Sequence, residues 1–267
     1  MRGINNTTIE EYAKSKIGEE SVNSQGLKMK IISYKNSENI DIIFENGHIK
    51  KNVRYDTFKN GQIKDRNIPT VYGVGIVGEE KISKDGKLFK EYKMWSSMLQ
   101  RCYSIKEKNK KPNYIKTNCC DEWLYYPNFK EWMLNQENYK TLLELGEEIC
   151  LDKDIIIKGN DFYSPQTCCL VPKNINSLFT KHTRGRGKYP IGVSYYKKLQ
   201  KYMARCNDGF NHELHLGYYQ NANDAFDAYK KFKENVIKKM AQYEFKKGTI
   251  TKQCCDAMLA YEVDIKD

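Results

Sequence analysis

The residue types best suited to chemistry lie in one short polar run, Asp152-Lys153-Asp154, which directly follows Cys150 and Leu151. Carboxylate oxygens are the ligands that Mg²⁺ and Mn²⁺ prefer, and a lysine ammonium can contact a phosphate. We therefore expect Asp152 and Asp154 to hold a divalent cation, Mg²⁺ or Mn²⁺, if the protein binds one. No histidine occurs between residues 49 and 181, so no side chain of this region is an obvious general base.

Nine cysteines form a second candidate group, and six of them occur as three adjacent pairs. No Cys-x-x-Cys spacing is present, which argues against a zinc site. We expect reduced thiols that pack as small hydrophobic side chains. The alternative is a site built from Cys102, Cys120 and Cys168.

Basic charge is concentrated near the C-terminus of the chain. The 267 residues contain 45 Lys+Arg and 34 Asp+Glu, a formal net charge of +11. Residues 181–247 alone contain 15 basic and 6 acidic residues, which leaves 30 against 28 for the rest. A charged run is often only a solvated face, but an asymmetry on the scale of a domain favours nucleic-acid binding.

Hydropathy excludes a transmembrane protein. No segment approaches the roughly 18 consecutive apolar residues of a membrane-spanning helix. The first 20 residues have no apolar core of the kind found in secretory signals. We expect a cytoplasmic protein, without a membrane partner, that binds a polyanion.

The fold class predicted from the pattern is α+β. Residues 1–70 begin with a short helix and continue with closely spaced strands, and Asn46-Gly47 is a strong hairpin signal. We predict a small SH3-like β-barrel here, which could bind a peptide, a nucleic acid or nothing. Residues 71–180 form a second predicted domain, whose glycines at 73, 75 and 78 favour a β-hairpin over a dinucleotide fingerprint.

Within this second domain, residues 90–103 have helical periodicity, and residues 150–180 predict two strands followed by a helix or turn. A basic linker, 181–188, follows. Residues 189–247 predict three short strands and one long helix that Asn221 or Asn223 caps. Residues 248–267 are predicted to be a C-terminal tail.

Residues 190–242 resemble the AP2 DNA-binding domain. The resemblance is carried by Gly192-Val193 in the first strand, 201–205 in the second, 216–219 in the third, and by Ala225, Ala228 and Tyr229 in the helix. It implies that the three-stranded sheet enters the major groove of duplex DNA. The candidate contacts, with the linker arginines, are Tyr195 or Tyr196, Lys198, Lys201, Tyr202, Arg205, His215, Arg184 and Arg186.

This segment departs from the AP2 pattern at three positions. Tyr202 stands where the family usually has Trp, Ser194 where it has Arg, and Arg205 where it has Glu. Base specificity therefore does not transfer to this chain.

Residues 92–180 resemble a phage-encoded family of HNH-endonuclease-like proteins, in which an AP2 domain often follows. The matching positions are Tyr92, Trp95, Met98, Arg101 to Tyr103, 120–123, Phe129, Trp132, 151–154, Gly159-Asn160, 163–165 and Cys168. The family places a general base and a metal ligand where this chain has Asp152 to Asp154, an Asn where it has Asn160, and a terminal ligand near Asn174 or Asn176. The resemblance thus implies a strand–strand–helix scaffold with a degenerate catalytic site.

Two functions follow as expectations. The first is a DNA-binding protein of phage or mobile-element type, acting in the cytoplasm of the bacterial host, whose HNH-like centre is either a metal-dependent endonuclease or, as we expect, catalytically impaired. The second is a non-catalytic phage protein that binds and inhibits a host defence protein. Clustering of Lys and Arg on the AP2-like sheet favours the first function, and apolar and aromatic residues exposed on the N-terminal barrel would favour the second.

Overall fold

The structure, a computed structural model, describes residues 6–180, 188–210 and 212–265. The linker arginines Arg184 and Arg186 lie outside the described residues. The chain is of α+β type and divides into two compact units, Met1–Glu80 and Lys81–Asp267.

The first unit contains one antiparallel sheet in the order β1-β2-β3-β4. Its elements are α1 (Asn6–Lys16), β1 (Glu20–Val22), β2 (Lys28–Asn36), β3 (Asn39–Phe44), β4 (Ile49–Val53) and α2 (Tyr55–Lys59). Alternate residues of β2 and β3 point inward and pack on Phe58 of α2. The predicted hairpin joins β3 to β4, and Gly47 takes the positive φ of 86° that such a turn requires.

The predicted closed barrel is not formed in the described part of this unit. Closure would need the two outer strands to pair, whereas β1 pairs with β2 and β4 with β3. β1 has only three residues, and it pairs with β2 and not with β4. The sheet is therefore open at both edges.

The second unit contains the central region and the basic C-terminal region of the chain. Its first elements are β5 (Ser83–Lys84), β6 (Lys87–Leu88), α3 (Lys90–Tyr103), α4 (Ile105–Lys110), β7 (Asn118–Cys119), α5 (Tyr126–Leu134) and α6 (Tyr139–Glu144). Those that follow are β8 (Ile149–Asp152), β9 (Phe162–Tyr163), β10 (Cys169–Pro172), α7 (Lys173–Phe179), β11 (Val193–Tyr196), β12 (Lys201–Asn207), β13 (Glu213–Tyr219), α8 (Ala222–Lys246) and α9 (Lys252–Leu259).

Helix α3 has the bounds that its periodicity predicts. Trp95, Met98, Leu99 and Cys102 are buried along one face, as the 3.6-residue period requires. The indole Nε1 of Trp95 donates to the carbonyl of Trp123 at 2.6 Å, so the buried polar atom is satisfied. The opposite face of α3 is polar.

Strands β8 and β10 pair in antiparallel register, with Asp152 opposite Cys169, and α7 follows β10 directly. This is the strand–strand–helix order expected for residues 150–180. The intervening β9 does not join that pair and instead lies parallel to β7.

The sheet β11-β12-β13 is antiparallel and packs on α8. Asn221 caps α8, because its side-chain oxygen accepts from the backbone N–H of Asp224 at 2.9 Å. Gly192 precedes β11 with a φ of 75°, and a Cβ there would lie 2.0 Å from the Tyr229 ring. Only glycine fits this contact between the sheet and the helix.

One hydrophobic core contains residues from both sides of the predicted linker, 181–188. It joins Ile155, Val171 and Ile175 to Phe226 and Met240 of α8. The predicted tail contributes as well, since α9 packs on α8 and buries Cys254, Cys255 and Met258 in the same core. The structure therefore divides the chain once, near residue 80. The sequence predicts boundaries near residues 70, 180, 188 and 247.

The nine cysteines are free thiols, and seven of them are buried. Interaction with Cys119 raises the pKa of the Cys102 thiol, and interaction with Cys254 raises the pKa of the Cys169 thiol. These interacting thiols are not neighbours in the sequence, and they are not the set Cys102, Cys120 and Cys168. In the described ranges, none of the helices combines the length and the hydropathy needed to cross a bilayer.

Candidate nucleic-acid interface

The register of the β11–β13 sheet assigns its side chains to two faces. Residues directly opposite each other in an antiparallel pair share a face. Val193 pairs with the buried Ala204, which places both on the face that packs on α8. The other set forms the outer face: Ser194, Tyr196, Lys201, Met203, Arg205, Asn207, Glu213, His215 and Tyr218.

The outer face carries four of the predicted DNA contacts, namely Tyr196, Lys201, Arg205 and His215. Tyr195 and Tyr202 are placed differently. They pair with each other in the register, share the face of Ala204, and their ring centroids lie 5.2 Å apart. Of the alternatives Tyr195 and Tyr196, the structure thus puts Tyr196 on the outer face.

Tyr218 is an outer-face residue that alternation along the sequence misses. Strict alternation puts His215 and Tyr218 on opposite faces, because three positions separate them. A β-bulge at Ala204/Arg205 shifts the register, so that His215 pairs with Arg205 and Tyr218 with Met203. The Tyr218 ring consequently lies 4.5 Å from His215 and 5.4 Å from Tyr196.

The cations of this sheet differ in how they are paired. Lys198, in the exposed turn after β11, and Lys201 have no acidic partner in the described part of the chain. Arg205 donates from Nη1 to Oε2 of Glu213 at 2.9 Å. A ligand phosphate would have to compete with Glu213 for this guanidinium.

The basic excess of residues 181–247 is not confined to the sheet. Six lysines lie in α8, and Lys231, Lys238, Lys239 and Lys246 are exposed there. The sheet and its turns, residues 193–219, hold four basic and two acidic residues. The charge asymmetry therefore supports polyanion binding by the whole C-terminal segment more than by the sheet alone.

Asp152 ends β8 and is committed to the backbone of the following turn. Its Oδ1 accepts from the N–H groups of Asp154 at 2.7 Å and Ile155 at 2.9 Å. Burial raises the pKa of this carboxyl above its ordinary value, despite the two amide hydrogen bonds. Asp152 thus closes a turn, an interaction that sequence spacing does not reveal.

The lysine between the two aspartates is 8% exposed and is the centre of a second set of contacts. Lys153 Nζ lies 2.8 Å from Asp154 Oδ1 and donates to the carbonyl of Asn160. The Asn160 amide in turn donates to the carbonyls of Lys153 at 2.9 Å and Phe162 at 2.6 Å. Asn160 therefore holds the loop in place.

These contacts do not fit a divalent cation. An ammonium 2.8 Å from Asp154 repels a metal ion at that carboxylate, and Asp152 Oδ1 already accepts two amide protons. No cluster of three or more His, Cys, Asp or Glu side chains arranged for metal binding occurs within the described ranges.

Asn174 is separated from the aspartates. Its Nδ2 donates to Oε1 of Glu244 at 2.8 Å, and it lines a different cleft, beside β11. Glu244 is 0% exposed and also accepts from Thr249 at 2.6 Å and from Lys247 at 3.2 Å. Asn176, rather than Asn174, shares a cleft with Asp152.

That cleft has a volume of about 900 Å³ and lies between α3, β8 and the loop after β8. Asp152, Lys153 and Asp154 line it, together with Arg101 from α3 and Asn176 from α7. The Arg101 guanidinium donates to the Tyr163 hydroxyl at 3.0 Å. The cleft therefore has a cationic wall on the side of α3.

No protein-family model matches the chain, and searches of curated proteins and of solved structures find no match either.

Proposed function

We propose that the protein binds duplex DNA through the outer face of the β11–β13 sheet, as a DNA-binding protein of phage or mobile-element type. The observation that carries this proposal is the shared face of Tyr196, Lys201, His215 and Tyr218, backed by α8 on the other side. Two-stranded ribbons and small sheets fit the major groove, where cations meet phosphates and planar rings meet base edges.

The adjacent tyrosines of β11 provide a matched test. Tyr196→Ala removes an outer-face ring, whereas Tyr195→Ala removes a ring that is 39% exposed but lies on the opposite face of the strand, against Tyr202. We expect the first to weaken binding to a fluorescent duplex about tenfold and the second to leave it within about twofold. Binding should also weaken steeply with salt, because bound counterions are released from DNA. Equal effects of the two substitutions, or binding that salt does not change, would contradict the proposal.

For the central region we propose a strand–strand–helix scaffold that does not cleave DNA. The contacts of Asp152 and Asp154 support this, since both carboxylates are engaged by protein donors. Incubation with supercoiled plasmid and Mg²⁺ or Mn²⁺ should produce no nicked circles. Nicking that Asp154→Ala abolishes would instead establish a metal-dependent endonuclease with its cation at this pair.

A second candidate function is inhibition of a host defence protein, and one observation favours it. The first unit exposes Val22, Ile32 and Ile49 on its sheet, each between 39% and 55%. The register places Ile43 opposite Ile49 on that surface, while the exposed Lys28 and Lys30 of β2 stand opposite Val22 and Ile43, so apolar and basic side chains share the surface. Val22→Asp with Ile49→Asp should abolish capture of a defence protein while leaving DNA affinity unchanged, if this function holds.

A further inference from the structure

The polar face of α3 carries cations at helical spacing. Lys90, Lys93, Ser97 and Arg101 follow one another at intervals of three, four and four residues, and all four line the 900 Å³ cleft. Such spacing puts side chains on one face of a helix. The stripe is about 16 Å long, at 1.5 Å rise per residue.

Arg101 is half-buried and has no carboxylate partner in the described residues. Its one hydrogen bond within that part of the chain goes from Nη1 to the hydroxyl of Tyr163, at 3.0 Å. A guanidinium has five N–H donors, and burial of an unpaired charge is costly. Lys90 and Lys93 are exposed, and they too have no acidic partner among the described residues.

The carboxylates of the same cleft are already engaged. Asp152 accepts two backbone amides. The other acids have lysine partners: Glu147 with Lys247 at 3.2 Å, Glu148 with Lys173 at 2.7 Å, Asp154 with Lys153 at 2.8 Å and Asp161 with Lys153 at 3.8 Å. The lining contains five basic and five acidic side chains, and Lys153 is shared by two of the acids, so the cleft as a whole has no excess of cations. Within the described residues, the positive charge without an acidic partner lies on its α3 side, at Lys90, Lys93 and Arg101, and the carboxylates lie on β8 and the segments that flank it.

We infer that the cleft beside α3 binds the phosphodiester backbone of a nucleic acid strand, with Arg101 contacting one phosphate and Lys90 and Lys93 its neighbours. A guanidinium presents paired donors to a phosphate, and a row of cations suits a ligand whose charge repeats. The inference rests on DNA being the ligand of the protein, but it uses a surface distinct from the β11–β13 sheet.

The test compares four full-length proteins, the wild type and three variants, for affinity to a fluorescent duplex over a series of salt concentrations. The variants are Arg101→Gln, the pair Lys90→Gln with Lys93→Gln, and the control pair Lys84→Gln with Lys87→Gln. The control lysines are exposed in the β5–β6 hairpin and do not line the cleft. The α3 pair changes only exposed side chains, so it keeps the test valid if Arg101→Gln fails to fold.

We expect each α3 variant to weaken binding about tenfold or less, and the slope of log K against log salt to fall by about 0.9 for each phosphate that the variant no longer neutralises. The control pair should leave that slope unchanged. If both α3 variants match the control while Tyr196→Ala still weakens binding, this inference fails and the proposed sheet interface stands. If the α3 variants weaken binding and Tyr196→Ala does not, the sheet proposal fails instead.

Calorimetric titration with inorganic phosphate separates a backbone site from a free oxyanion site. Weak phosphate binding that Arg101→Gln removes, together with the loss of duplex affinity, would support the inference. Phosphate binding that Arg101→Gln removes with no change in duplex affinity would overturn it, because the ligand would then be a free oxyanion.

Discussion

The rings of His215 and Tyr218 lie 4.5 Å apart, centroid to centroid, although alternation along β13 would put them on opposite faces of the sheet. The bulge at Ala204/Arg205 brings them together. Because neighbouring aromatic rings present a broad apolar surface, the pair extends the outer face beyond the residues found by spacing alone.

Removal of Tyr218 should therefore weaken duplex binding. We expect Tyr218→Ala to weaken binding about tenfold, as Tyr196→Ala should, because it removes part of the aromatic surface that would meet base edges. Fluorescence anisotropy with the duplex measures this. Tyr243→Ala is a suitable control, since Tyr243 is an exposed tyrosine near the end of α8. Similar losses for the two variants would contradict a role for the outer face.

Asn174 should affect folding and not DNA chemistry. Asn174→Ala removes a donor from the buried Glu244 carboxylate, so we expect the free energy of unfolding to fall by about 1–2 kcal/mol. Glu244→Ala should cost about 3 kcal/mol or more, because Asn174, Thr249 and Lys247 lose a common partner. Urea titration gives both values.

The two substitutions should also be non-additive, because they remove the same hydrogen bond. If Asn174→Ala instead reduced DNA affinity or plasmid nicking at unchanged stability, Asn174 would belong to a functional site after all.

Stability should depend on pH through Asp152. Burial raises the pKa of this carboxyl in the folded protein above its ordinary 3.8, so the folded state binds the proton more tightly than the unfolded state. The resulting stabilisation is complete below the ordinary value and is lost as pH rises through the raised one. The unfolding free energy of the wild type minus that of Asp152→Asn should therefore decrease as the pH rises above the ordinary value of 3.8.

Chemical denaturation at several pH values measures that difference. A difference that increased with pH would mean that the charged form of Asp152 is the one favoured in the folded protein.

Met258 tests whether the two regions of the second unit unfold together. It is 0% exposed in the common core, and we expect Met258→Ala to cost about 2–5 kcal/mol. The three tryptophans, at 95, 123 and 132, all lie in the central region, so their fluorescence reports unfolding there. We expect a single transition that the substitution shifts to lower denaturant.

Ile265→Ala provides the control, since Ile265 lies nearby in sequence and is exposed. A tryptophan transition unchanged by Met258→Ala would show that the regions unfold independently.

Local patterns in the sequence predict much of this fold. The periodicity of residues 90–103 gives α3 its bounds, and the Asn46-Gly47 signal gives the β3–β4 turn, because both depend on neighbours in the chain. The partner of Asn174 lies 70 residues away, at Glu244, and no spacing rule connects them. Likewise, the register shift that brings Tyr218 to the outer face is a property of two paired strands. It cannot be predicted from the alternation of residues along one strand.

The core that joins α7, α8 and α9 also bears on how such a chain can be exchanged between genomes. A recombination event that carried only residues 189–247 would leave behind the apolar side chains of Val171, Ile175 and Met258 that cover α8. The recipient would inherit a helix with an exposed apolar face, which favours aggregation. A segment transferred with its complete hydrophobic core would have to begin near residue 81 and extend past α9.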